Sequence, residues 1–127
     1  MQLLLDTHAL LWWLADMPEL GSKARQHVAQ PDNRVWVSAA SVWEIEIKRA
    51  LGKLHAPDDL KTAIDACAFE PLPITFDHAI EAARLPPHHH DPFDRMLIAQ
   101  AAQEQLVIVT RDSVFASYDV AILAANK

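Results

Sequence analysis

The sequence predicts an α/β protein, a three-layer α/β/α sandwich with a central parallel sheet, folded as a single domain over residues 1–127. Three observations carry that expectation. Short apolar runs alternate with segments whose apolar residues recur at helical spacing. Only two glycines are available for tight hairpins, so long crossovers between parallel strands are favoured over antiparallel ribbons. The 127 residues, 51% apolar and 22% charged, can bury one core but not two.

The elements follow in order. Gln2 to Leu5 is a strand-like run that ends at Asp6, and Thr7 to Ala15 is helical and stops before Pro18. Arg34 to Ser38 alternates as a strand does. A helix over Ser41 to Leu51 follows, closed by Gly52, and another starts at Asp58 behind Pro57. Pro71 to Ile74 reads as a strand leading to a helix over Phe76 to Leu85, which Pro86 and Pro87 end. Beyond His88, His89 and His90, Pro92 opens a helix to Gln105. Leu106 to Val109 is a β-branched run, and Val120 to Leu123 is the last strand. The expected order is β-α-β-α-α-β-α-α-β-(short α)-β.

Composition narrows the function. The longest apolar stretches, such as Ala9 to Ala15, fall far short of the roughly 20 residues of a membrane span, and Met1 leads into a strand without a basic leader. A cytoplasmic protein without membrane contact is expected. The single cysteine, Cys67, forms no intramolecular disulfide and sits at helical spacing with Leu60, Ala63 and Ile64, as a core residue would. Trp12 and Trp13 cannot both face inward from one helix, so either one lies at an interface or both are partly buried. A net charge of −6 argues against nucleic-acid binding, unless several of the 17 acidic side chains hold divalent cations.

Four acids stand out, and each has an ordinary explanation. Asp6 is placed to cap a helix. Ser41 and Glu44 have the spacing of a capping box, and Asp91, Pro92 and Asp94 read as N-cap, first helical residue and first-turn acid. Asp112 is placed to cap the turn after its strand. Together they say more, because in a parallel sheet the strand ends and the following helix starts share one edge. Acids about 4 Å apart there would repel by roughly 4 kcal/mol per pair, at an effective dielectric near 20. Raised pKa values or hard cations such as Mg²⁺ relieve that, and Mg²⁺ suits phosphodiester hydrolysis. Lys48, four residues after Glu44, and Arg49, Lys53, Arg95 and Arg111 are candidate phosphate contacts. The plainer alternative is a Glu44–Lys48 pair and solvated arginines.

The blocks LLLDTHALLWWL, SAASVWEIEIKRALGKL, HHHDPFDRMLIAQA and VTRD resemble the PIN domains of VapC-type toxins, over nearly the whole chain. The resemblance implies that Asp6, Glu44, Asp94 and Asp112 are the catalytic and metal-binding acids, with Asp91 secondary. It further implies Mg²⁺ or Mn²⁺ dependence and endonuclease action on RNA, with water attack leaving a 3′-hydroxyl and a 5′-phosphate. A VapB-like antitoxin that enters the active groove, self-association as a homodimer or higher oligomer, and a toxin that stops translation are implied as well.

Competing chemistries fit less well. His88, His89 and His90 suggest a transition-metal site or a metal-independent ribonuclease with imidazole acid and base, but three consecutive side chains converge on one ion only if the loop wraps it. A loop touching substrate or partner is the expectation. A haloacid-dehalogenase phosphatase needs an aspartate two residues after Asp6, where His8 stands, and a response-regulator receiver needs an acidic neighbour that Asp6 lacks. A catalytically inactive RNA- or protein-binding module on the same fold is the remaining alternative.

Overall fold

The computed structural model describes residues 1–127. Its strands are β1 (Gln2–Leu5), β2 (Arg34–Ser38), β3 (Glu70–Leu72), β4 (Val107–Thr110) and β5 (Ile122–Ala124). Its helices are α1 (Thr7–Leu14), α2 (Ser22–Ala29), α3 (Ala39–Ala50), α4 (Leu60–Ala66), α5 (Phe76–Arg84) and α6 (Pro92–Glu104), with a 3₁₀ turn at Ser113–Ser117. All strand pairs are parallel, in the order β3-β2-β1-β4-β5. The α/β/α expectation is met.

Side-chain alternation splits the core in two. Leu3, Leu5, Val35, Val37 and Val109 join one cluster with residues of α1, α2 and α4. Leu4 and Ile108 point the other way, into a cluster with Leu97, Ile98 and Ala101 of α6. Chain order reverses at β1: β2 flanks it on one side and β4 on the other. In open parallel sheets that reversal opens a crevice at the strands' carboxyl ends, and Asp6 is the first residue beyond β1 there.

Several boundaries differ from the sequence expectation. Helix α2 was not anticipated, because SKARQHVA buries only Ala24 and Val28 and starts at Gly21 without a side-chain cap. Helix α3 begins two residues early: its N-cap is Ser38, whose hydroxyl accepts from the Ala40 N–H, so the expected Ser41–Glu44 capping box does not form. Strands β3 and β5 sit one to two residues from their expected places. Gly52 does close α3, at φ 71°, with its N–H on Arg49 O and that of Lys53 on Lys48 O, the double bond pattern of a left-handed helix end. Cys67 is half-buried at the end of α4 and packs against the first core cluster. Trp12 is buried and Trp13 half-buried against Phe69, so both tryptophans are covered to some degree. No helix is long and apolar enough to cross a membrane.

Candidate metal centre

Each acid is fixed by its own local structure. Asp6 caps α1 through the Ala9 N–H at 2.8 Å, and its carboxyl is 5% exposed. Asp91 caps α6 by accepting from the Phe93 and Asp94 N–H groups, with Pro92 in the first turn, as the sequence suggested. Because Asp91 takes the cap, Asp94 one turn on is free to face the crevice. Asp112 accepts from the Val114 N–H and so caps the 3₁₀ turn, while its own N–H donates to Thr110 Oγ1.

Glu44 is held differently from the capping role expected of it. It lies within α3, only 4% exposed. The Thr7 hydroxyl donates to its Oε1 at 2.6 Å, and Lys48 Nζ donates to its Oε2 at 2.5 Å. Ser41, also buried, lies 3.3 Å from the Thr7 hydroxyl. Thr7 thus ties the start of α1, one residue after Asp6, to the middle of α3.

The acids share one electrostatic environment. Burial, then the charge of Asp91, push the Asp94 carboxyl up to about 7; the charges of Glu44 and Asp6 add to this, and His89 opposes it. Asp6 is raised as well, mainly by burial, with Asp112 contributing and the hydrogen bond from Thr110 opposing. Lys48 is pushed up by its bond to Glu44 and by the charges of Asp91 and Asp94. Side chains from four separate stretches of sequence feel one another here.

The basic residues fall differently from the sequence expectation. Lys48 faces the acids. Arg95 does not: its guanidinium donates to the carbonyls of Ala82, Leu85, Pro86 and His89, so it braces the loop before α6 instead of reaching toward phosphate. Arg111 lies over the Trp12 ring, 5.0 Å from its centroid. Arg49 is turned to the carbonyl of Ala56 and to Glu46.

One residue of the cluster was not singled out from the sequence: Thr7, although a hydroxyl beside Asp6 in an otherwise apolar first turn was a readable sign. Of the three histidines weighed there, His89 is the one that joins the acids. Its Nε2 lies 3.0 Å from Asp112 Oδ2 and 3.0 Å from Asp94 Oδ2, and suitable donor atoms of His89, Asp94 and Asp112 all lie within 4.8 Å of one another. The histidine loop was expected to face substrate or partner; His88 instead packs edge-on against Tyr118, and only His89 enters the cluster.

The PIN domain family model matches residues 3–121. The chain belongs to the PIN domain family. Solved structures agree in fold. A chain of VapBC2 from Rickettsia felis, bound to a DNA fragment from its promoter, has a TM-score of 0.70 at 13% identity, covering 97% of this chain and 98% of that one. DNA-bound VapBC from Salmonella typhimurium gives 0.68 at 19% identity, with 97% of each chain covered. VapBC-5 from Mycobacterium tuberculosis, a toxin–antitoxin system, gives 0.59 at 22% identity over 96% of this PIN domain and 95% of its counterpart. No functionally curated protein is similar enough in sequence to match. The fold read from the sequence blocks therefore has structural counterparts over nearly the whole domain.

A divalent cation fits the residues of this PIN domain. The donors are carboxylate oxygens, the hard ligands that Mg²⁺ and Mn²⁺ prefer; Asp94 and Asp112 offer theirs within 4.8 Å of each other, and the charges of neighbouring acids add to the burial that raises Asp94.

Proposed function

We propose that this PIN domain is a divalent-cation-dependent endoribonuclease toxin of the VapC type, which hydrolyses RNA phosphodiesters and so stops translation. The observation that carries the reading is the approach of Asp94 to Asp112, with donor atoms of the two and of His89 within 4.8 Å of one another, while the charges of Glu44 and Asp6 help to raise Asp94 to about 7. A bound Mg²⁺ or Mn²⁺ would supply Lewis acidity toward water and toward the phosphate oxygens. Asp6, Asp94 and Asp112 would hold it, and Glu44 would complete the set. Thr7 orients the Glu44 carboxylate, and Lys48 pairs with it and would offer its ammonium to a phosphate. Water adds to phosphorus as the bond to the 3′ oxygen breaks, leaving a 3′-hydroxyl and a 5′-phosphate.

A VapB-like antitoxin and self-association belong to the same reading. Trp43 is 62% exposed, Leu51 62% and Phe76 90%, which is apolar surface that a protein partner would cover. Beside it, a groove of about 730 Å³ is lined by Val37, Val42, Trp43, Ile64, Pro71 and Leu72. None of the four acids lines this groove, so a partner could grip here while another of its segments reached the acids.

His89 gives one specific reason to keep the imidazole-based ribonuclease in view. Incubation of the purified protein with a generic RNA decides between them. Cleavage that needs Mg²⁺ or Mn²⁺ and stops with EDTA supports the cation-dependent enzyme. EDTA-resistant cleavage favours the histidine mechanism, and no cleavage under either condition favours an inactive binding module.

A further inference from the structure

His89 is held in the acid cluster by a loop braced at every turn. Arg95 grips the carbonyls of Ala82, Leu85, Pro86 and His89 itself. The Tyr118 hydroxyl accepts from the His89 N–H at 2.8 Å and donates to Pro86 O at 2.6 Å. The imidazole stands edge-on to Phe115, with ring centroids 5.6 Å apart. At 15% exposure its place is a property of the fold.

The hydrogen bonds also fix where its proton sits. The Asp91 backbone N–H can only donate, and it donates to His89 Nδ1 at 3.2 Å. Nδ1 is therefore the bare nitrogen, and Nε2 carries the hydrogen. That N–H donates to Asp112 Oδ2, with Asp94 Oδ2 equally close at 3.0 Å. Histidines that ligate metals show the opposite arrangement: the remote nitrogen donates to an acceptor and the near one offers its lone pair. Here the near nitrogen has no lone pair to give.

We propose that His89 competes with a dication for the acid cluster: its Nε2–H, given to Asp112 with Asp94 at the same distance, must be displaced before a dication can bind these oxygens. This rests on the cation-binding reading given above and adds to it a built-in competitor. The imidazole proton and a dication seek the same oxygens, so the free energy of the histidine's bonds is subtracted from the apparent affinity for the ion. Displacement also frees an imidazole beside the acids, tethered to the Asp91 N–H.

Mn²⁺ binding to the full chain, measured by calorimetry, tests this together with the melting temperature in EDTA. His89→Ala is expected to bind Mn²⁺ about tenfold tighter than wild type, since a hydrogen bond to a charged acceptor no longer has to be broken. The same variant should melt about 4 °C lower in EDTA, where Asp112 has lost its donor. His89→Gln, which keeps an N–H at similar reach, should stay near wild type in both. Weaker Mn²⁺ binding by His89→Ala would make His89 a ligand and overturn the proposal, as would no change in either measurement. If wild type and variant both fail to bind Mn²⁺, the cation reading falls instead. The melts in EDTA would then still decide whether His89 donates to Asp112.

Discussion

Two polar clusters in this PIN domain use a histidine in the same way and reach opposite outcomes. In the first, His78, 1% exposed, accepts from the Thr75 N–H at Nδ1 and donates from Nε2 to Glu104. Gln100, fully buried, donates to Pro73 O and accepts from the Ser38 hydroxyl at 2.6 Å. The chain closes on itself, and its one carboxylate, Glu104, is 46% exposed to water. In the second, which is half-buried, His89 accepts from the Asp91 N–H and donates to Asp112, but Asp94 lies equally close and feels the charges of Glu44 and Asp6. There the donors run out before the charges do.

The difference separates polar groups whose hydrogen bonds close within the fold from acids left close to one another, as the proposed function requires. The His78 cluster joins the starts of α3 and α5 to α6 and satisfies its own hydrogen bonds, which is how buried polarity fixes one arrangement of elements. The acid cluster leaves negative charge unmatched, which costs stability and is tolerable where a cation is to be bound.

That contrast predicts opposite mutational signatures. The largest effect is expected for Asp94→Asn and Asp6→Asn. Each should lower Mg²⁺-dependent RNA cleavage by about a hundredfold or more, while melting at or above the wild-type temperature in EDTA, because repulsion is relieved and asparagine still caps α1. Retained cleavage in both variants, read from RNA fragments on a gel, would remove the assignment.

Ser38→Ala should show the reverse. It deletes the α3 cap and leaves Gln100 Oε1 buried without its donor, a loss of about 2 kcal/mol by denaturant titration. Cleavage below the melting range should remain near wild type. If activity fell as far as in Asp94→Asn, the two clusters could not be assigned separate roles.

Glu44→Gln is expected to fall between. The Thr7 hydroxyl can still donate to Oε1 and α3 keeps its Ser38 cap, so stability should change by less than about 1 kcal/mol. Cleavage should fall about tenfold through the lost charge. A large stability loss would mean that the Glu44–Lys48 pair is structural.

The same contrast can be read in the pH dependence of stability without added metal. The fold raises Asp94 from an ordinary 3.8 to about 7, so the folded state holds this proton more tightly than the unfolded chain. Its contribution is complete below pH 3.8 and is lost as the pH rises toward 7, opposite in sign to a salt-bridged aspartate. Denaturant midpoints at pH 5 and 8 in EDTA, compared between wild type and Asp94→Asn, isolate this part. A midpoint difference between the two proteins that did not change with pH would count against the shared charge field.

Much of this was written locally. The apolar run before Asp6, the alternation in RVWVS and the β-branched run from Leu106 marked the strands, and the pleat sent Leu3 and Leu5 to one face and Leu4 to the other. Asp91-Pro92 set the start of α6, and chain order with few glycines set parallel topology. The four acids were legible because strand ends and helix starts in a parallel sheet share an edge, a rule that needs only the order of elements. Tertiary structure alone decided the rest, since each case turned on a competition between distant partners. Ser38 displaced Ser41 as the cap of α3, and Glu44 turned inward to the Thr7 hydroxyl. Arg95 was drawn to four carbonyls that only the folded loop brings together, and His89 alone among three adjacent histidines was carried into the acids. Spacing records which groups one element can present, but not which partner, brought from sixty residues away, will meet them first.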